Sequence, residues 1–138
     1  MPAGPKVGEP VPKVALPDIE GQTVELEDFR SEETLVLFWN PGCSFCQQMF
    51  PDLKALESDS SKRASKILVV SAGTEEDNRA MGLRSRVVLD QGFNTGLAFG
   101  ASGTPSAVLV DEEGKVASEV AVGAPAVLRL AGASQTEA

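Results

Sequence analysis

Two cysteines, Cys43 and Cys46, are the only thiols of the 138-residue chain, three positions apart in the stretch FWNPGCSFCQQMFP. A pair so spaced can grip a metal, staple a fold or exchange disulfides. A structural zinc site takes four ligands. With no histidine and no further cysteine, zinc would have to recruit carboxylates or a second subunit. A structural disulfide closing so small a loop contributes only about 2 kcal/mol in the entropic treatment, and a useful staple would join distant segments. The remaining chemistry is redox exchange, in which one thiolate attacks a disulfide and a second thiol resolves the product.

The flanking residues favour that third use. Residues 35–39 (LVLFW) form a continuous apolar run, as in a strand buried on both faces, and a Pro-Gly bend comes next. From Ser44 to about Ser58 the apolar spacing turns helical, with Cys46, Met49, Phe50, Leu53 and Leu56 on one face. Pro51 lies inside that pattern and predicts a kink. Cys43 therefore falls at the helix start, where free N–H groups and the helix dipole favour a thiolate. A lowered pKa there makes Cys43 the expected nucleophile. Cys46, one turn further on the same side, is the expected resolving thiol.

Around this centre the chain reads as strands alternating with helices. Residues 14–16 and 23–26, separated by the Glu20-Gly21 turn, predict a short hairpin or two edge strands. Residues 66–71 (KILVVS) and 86–89 predict two more strands. Thr74, with Asp77 three residues on, predicts the N-cap of a helix reaching about Met81. A short helix over 93–99 ends at Gly100. Residues 105–110 and 115–120 flank the turn Asp111-Glu112-Glu113-Gly114 as a hairpin. Pro125 starts a last helix carrying Val127, Leu128 and Leu130. The expected fold is α/β, a central mixed sheet flanked by helices with an N-terminal β-hairpin extension. Residues 1–10, rich in Pro and Gly, read as a linker or a cloning remnant, 11–132 as one domain and 133–138 as a flexible tail.

Composition narrows the function. Hydrophobic residues at 42% and charged residues at 23% are globular values, and no apolar run reaches the length of a membrane span. The net charge of −8 argues against nucleic acid. The one tight basic pair, Lys62-Arg63, sits among serines and reads as a solvated loop.

The elements strand–WNPGCSFC–helix, Pro51 after the second cysteine and GTPSAVLVDEEGKV resemble a thioredoxin-fold protein. The opening VGEPVPKVALPDIEGQTVELEDF resembles the redoxin, TlpA-like branch, shared with the AhpC/TSA peroxiredoxins. The similarity runs from about Val7 to about Leu130. It implies a thiol-disulfide oxidoreductase whose only redox group is the Cys43–Cys46 disulfide, with no metal or other cofactor. It also implies a cis Thr104-Pro105 bond facing the dithiol, with Thr104 and Pro105 docking extended substrate backbone. Trp39 and Phe45 are candidate substrate-facing aromatics, Trp39 having a core reading as well. Two positions depart from the pattern. Thioredoxins carry a buried Asp where this chain has Leu37, and TlpA-like proteins often carry a Glu where it has Met49; either would help take a proton from the resolving thiol.

The partners implied are protein or small-molecule disulfides and dithiols, with an upstream thiol-disulfide electron donor. The stretch GTPSAVLVDEEGKVASEVAVGAPAV also resembles redoxin domains fused behind MauE/DoxX-type membrane segments. An extracytoplasmic location, tethered by an anchor outside this chain, is the expectation. Two other readings stand beside it. A peroxiredoxin-like peroxidase would carry a Thr three residues before its peroxidatic cysteine, but here that position is Asn40 before Cys43 and Cys43 before Cys46. A non-catalytic interaction module would have no use for an intact CxxC.

Overall fold

The computed structural model describes residues 4–29, 31–59 and 65–132. Strands β1 (Ala15–Pro17) and β2 (Thr23–Glu25) pair antiparallel as the expected hairpin. Asp18 fixes its turn, its Oδ1 accepting from the N–H groups of Glu20 and Gln22. Burial works against the Asp18 carboxylate, but those N–H groups and Arg86 outweigh it and hold its pKa below the ordinary value. Its Oδ2 meets Arg86 Nη2 at 3.1 Å, which fastens the hairpin beside the main sheet.

That sheet has five strands. β3 (Thr34–Trp39) pairs in parallel with β4 (Lys66–Ser71), and β4 in parallel with β5 (Arg86–Leu89). On its other side β3 pairs antiparallel with β6 (Ser106–Val110), and β6 with β7 (Ala121–Val122), giving the order β5-β4-β3-β6-β7. All six residues of β3 are buried, because both faces of this middle strand are covered. Leu35, Leu37 and Trp39 share one core with Met49 and Leu53 of α1 (Ser44–Ser58) and Val127 of α4 (Ala124–Ala131). Val36 and Phe38 face the opposite core, with Val24, Val88, Phe99 and Val116.

α1 continues through Pro51, with Cys46, Met49, Leu53 and Leu56 buried and Phe50 half-buried. α2 (Glu75–Met81) begins at Thr74 as expected, the Thr74 hydroxyl accepting from Asp77 N–H at 3.0 Å. The helix expected over 93–99 is a 3-10 turn, Gln91–Phe93, followed by α3 (Asn94–Ala98). Phe93 at φ 61° breaks the two apart, and the buried Asp90 carboxylate accepts from Thr95 and Gly96 N–H to start α3.

Two expectations are corrected. The return arm over 115–120 is not a continuous strand: Val116 bridges Val110, the chain then bulges, and regular pairing resumes at β7. Ser118 Oγ accepts from Leu109 N–H at 2.9 Å, so a side chain takes the place of a ladder partner. Residues 4–10 are not a free linker. Gly8 N–H donates to Val116 O, Val116 N–H to Glu9 O and Val11 N–H to Gly114 O, so this segment lies along 114–116. Gly4 rests against Phe99 O and Gly100 N so closely that a Cβ there would collide with backbone. Lys62-Arg63 and residues 133–138 lie outside the described residues.

Candidate active site

The antiparallel pairing of β3 with β6 sets up the site, because it brings the end of one strand beside the start of the other. Phe38 stands opposite Ser106. The bend carrying Cys43, just after β3, therefore meets Thr104-Pro105, just before β6. Cys43 Sγ lies 3.5 Å from the Thr104 carbonyl oxygen, to which the thiol donates. The Thr104-Pro105 peptide bond is cis, as the resemblance implies.

Local chemistry holds the bend. Asn40 Oδ1 accepts from Gly42 N–H at 2.9 Å, Cys43 N–H donates to Asn40 O at 3.0 Å, and Gln47 Nε2 donates to Pro41 O at 3.0 Å. Pro41 packs on Gly73, where a Cβ would come within 2.6 Å of Pro41 Cδ. The Asn-Pro-Gly sequence is itself a signal for an Asx turn, so Asn40 was open to sequence reasoning. Gly73 was not, since only the tertiary approach of the two loops gives it a role.

Cys43 is the N-cap residue of α1, with extended backbone at φ −87°, ψ 127°. Its side chain makes no capping hydrogen bond, yet its sulfur sits at the helix start, where the N–H groups of Phe45 and Cys46 favour the thiolate. Burial, the largest single influence, pushes its pKa up. The Thr104 side chain, the N–H groups of Cys46 and Phe45, and the Cys46 thiol together outweigh it, and the pKa lies below that of an ordinary thiol. Cys46 is 0% exposed. Burial, the largest influence, pushes the Cys46 pKa up to about 11 against the lowering effects of the Asn40 N–H and the Thr104 side chain, with the charge of Cys43 and the hydrogen bond to it adding a little to the rise. The pair thus divides into an accessible, acidic thiol and a buried, weakly acidic one. Both are reduced.

Cys43, Cys46, Thr104 and Pro105 come together, with Thr104 half-buried and Pro105 buried. Phe45, on the first turn of α1, is 64% exposed. Trp39 is a correction: it is 0% exposed, its ring lies in the core beside α1, and its Nε1–H donates to Met81 Sδ at 3.2 Å. It ends a strand paired on both sides, and the alternation of β3 directs it with Leu35 and Leu37 under the helices. It has no surface to offer a substrate. Sequence reasoning did not single out the β7–α4 junction, where Gly123 N–H donates to Pro105 O at 2.9 Å and Val122 is 64% exposed. Among the described residues no group of three or more His, Cys, Asp or Glu side chains is placed to hold a metal ion.

A mixed α/β sheet with CxxC at a strand–helix junction, set against a cis-proline, defines a thiol-disulfide oxidoreductase of thioredoxin fold. The chain belongs to the AhpC/TSA family, whose sequence model matches residues 7–119. It is 26% identical over 116 residues to the thiol-disulfide oxidoreductase ResA of Halalkalibacterium halodurans, covering 80% of this chain and 66% of that protein. It is 32% identical over 121 residues to the methylamine utilization protein MauD of Paracoccus versutus, covering 82% of this chain and 57% of that protein. The chain thus spans about two thirds of the first relative's length and less of the second's. Among solved structures, the thioredoxin domain of a thiol-disulfide oxidoreductase from Bacteroides vulgatus superposes with a TM-score of 0.70 at 27% identity, covering 90% of this chain and 94% of that one.

Proposed function

We propose that the domain exchanges disulfides with extended segments of protein substrates, Cys43 attacking and Cys46 resolving. The observation that carries this reading is the division of the pair: Cys43 caps α1 with a lowered pKa, while Cys46 lies beneath it at about 11. A thiolate that is populated and reachable attacks first, and a thiol kept protonated waits until the mixed disulfide forms. Phe45, Thr104 and Pro105 flank the attacking sulfur and are assigned to the docking of substrate. The surrounding stretches 34–50, 99–110 and 120–128 contain no Asp, Glu, Lys or Arg. Docking there rests on backbone hydrogen bonds and apolar contact rather than ion pairs. A small disulfide can react at the same sulfur without that docking.

The TlpA-like resemblance and the likeness to ResA support action outside the cytoplasm, with electrons supplied by an upstream thiol-disulfide donor and an anchor beyond this chain. No helix among the described residues is long and apolar enough to cross a membrane. The peroxidase reading has less support, because Asn40 Oδ1 is committed to Gly42 N–H and offers no hydroxyl to a peroxide.

Catalysed reduction of insulin by a small dithiol, run beside consumption of hydrogen peroxide, separates the readings. Insulin turnover without peroxide turnover is expected. Peroxide turnover alone would move the protein to the peroxidase class, and neither activity would make it an interaction module.

A further inference from the structure

We propose that Gly73 is a positioning residue for the nucleophile: its bare Cα lets the loop after β4 press on Pro41, and that contact holds Cys43 against the first turn of α1. The inference rests on the role assigned above to Cys43 and names what fixes its sulfur from outside its own loop.

The contact joins two loops that are distant in the chain. A Cβ at Gly73 would lie 2.6 Å from Pro41 Cδ and 3.0 Å from Pro41 Cγ. Carbon atoms rest about 3.5–4.0 Å apart, so a side chain there would force the loops apart by about 1 Å. Both atoms belong to a closed ring, which cannot swing aside as the end of a flexible side chain does. Gly73 is not among the glycines of positive φ. Its backbone would accept alanine, and the approach of Pro41 is what calls for glycine.

Which loop gives way depends on how each is held. Gly73 N–H donates to Ser71 Oγ at 3.2 Å, Ala72 N–H to Trp39 O at 2.9 Å and Asp90 N–H to Ser71 O at 2.7 Å. Asn78, 1% exposed, donates from Nδ2 to Thr74 O at 2.7 Å. The 71–74 loop is thereby tied to β3, to β4 and to the start of α2. Pro41 is half-buried, and its carbonyl is held by the exposed Gln47 side chain. Pro41 is therefore the partner that moves.

The bend moves with it. Gly42 N–H on Asn40 Oδ1 and Cys43 N–H on Asn40 O join residues 40–43 into one piece. α1 does not follow, because Cys46, Met49 and Leu53 anchor it in the core. Displacing Pro41 thus shifts Cys43 Sγ relative to the helix start and to the Thr104 carbonyl 3.5 Å away. A thiolate set further from the free N–H groups of a helix start is less favoured, so Cys43 becomes a weaker acid and a slower nucleophile near neutral pH.

Iodoacetamide labelling of the reduced protein across pH, mapped by mass spectrometry, tests this. Gly73→Ala is expected to raise the pH midpoint of Cys43 labelling by about 0.5 or more, which slows labelling at pH 7 about threefold. The rate well above the midpoint should be unchanged. A loss of stability alone would leave the midpoint where it is. Pro41→Ala removes both ring atoms that Gly73 meets. It should raise the midpoint by itself, since the bend loses its support, and in that background Gly73→Ala should add nothing further. An unmoved midpoint in Gly73→Ala, or an equal rise with and without the Pro41 ring, would overturn the proposal. Should Gly73→Ala alone not fold, an unmoved midpoint in Pro41→Ala would overturn it. Faster labelling of Cys46 than of Cys43 in the unaltered protein would count instead against the cysteine roles.

Discussion

Cys43→Ser is expected to lower the rate of disulfide exchange by about a thousandfold or more, while Cys46→Ser holds substrate as a lasting mixed disulfide. Removing a nucleophile eliminates the covalent step itself, and such losses are of that order or larger. The asymmetry comes from the helix start. Serine at position 43 can still cap α1, so the fold should persist, but its hydroxyl does not ionise near neutral pH. Cys46 cannot take over, being fully buried with a pKa of about 11. In Cys46→Ser the attacking sulfur and its N–H partners remain, and only the route out of the intermediate is lost. Non-reducing mass measurement after incubation with a peptide disulfide reads both outcomes. Equal trapping by the two variants would reverse the order of attack.

Trp39→Ala is expected to destabilise the domain by about 3–5 kcal/mol, the usual cost of removing a fully buried large aromatic. The indole lies among the residues that join β3 to α1 and α4, and it also gives its N–H to Met81. Trp39→Phe fills most of the volume and should cost less, leaving chiefly the lost hydrogen bond and a smaller void. Denaturant unfolding followed by circular dichroism measures both, since Trp39 is the chain's only tryptophan and fluorescence disappears with it. If Trp39 touched substrate instead, Trp39→Ala would slow exchange and leave stability nearly unchanged.

The range of each interaction decided whether the sequence disclosed it or hid it. The buried strands at 34–39 and 66–71 and the helix from Ser44 were legible because apolar periodicity is a local record of what each face touches. Thr74 was legible as a cap because its hydrogen bond spans three residues. The dithiol was legible from spacing and from its place between a strand and a helix. The return arm after the Asp111 turn was misread, because Ser118 competes with the β6 ladder and nothing in KVASEV marks that competition. Residues 4–10 looked like linker because their partners at 114–116 lie about a hundred positions away. Trp39 had two readings, since a residue that ends a buried strand can face either way until the covering helices are known. Thr104 stands 61 residues from Cys43, and resemblance alone brought the two together in advance. The contact of Cys43 Sγ with the Thr104 carbonyl is a property of the folded chain.

The central claim is that one sulfur of the pair is the nucleophile because the fold makes it the more acidic and the more accessible. Timed alkylation of the reduced protein with iodoacetamide, mapped by mass spectrometry across pH, tests it directly. At pH 7 a thiol with a pKa of about 11 is ionised in only about one molecule in ten thousand. Cys43, below the ordinary thiol value, exceeds that by about a hundredfold or more. Cys43 should therefore be modified first by a wide margin, with a midpoint below that of a free thiol. Labelling of Cys46 at an equal or greater rate would contradict the account.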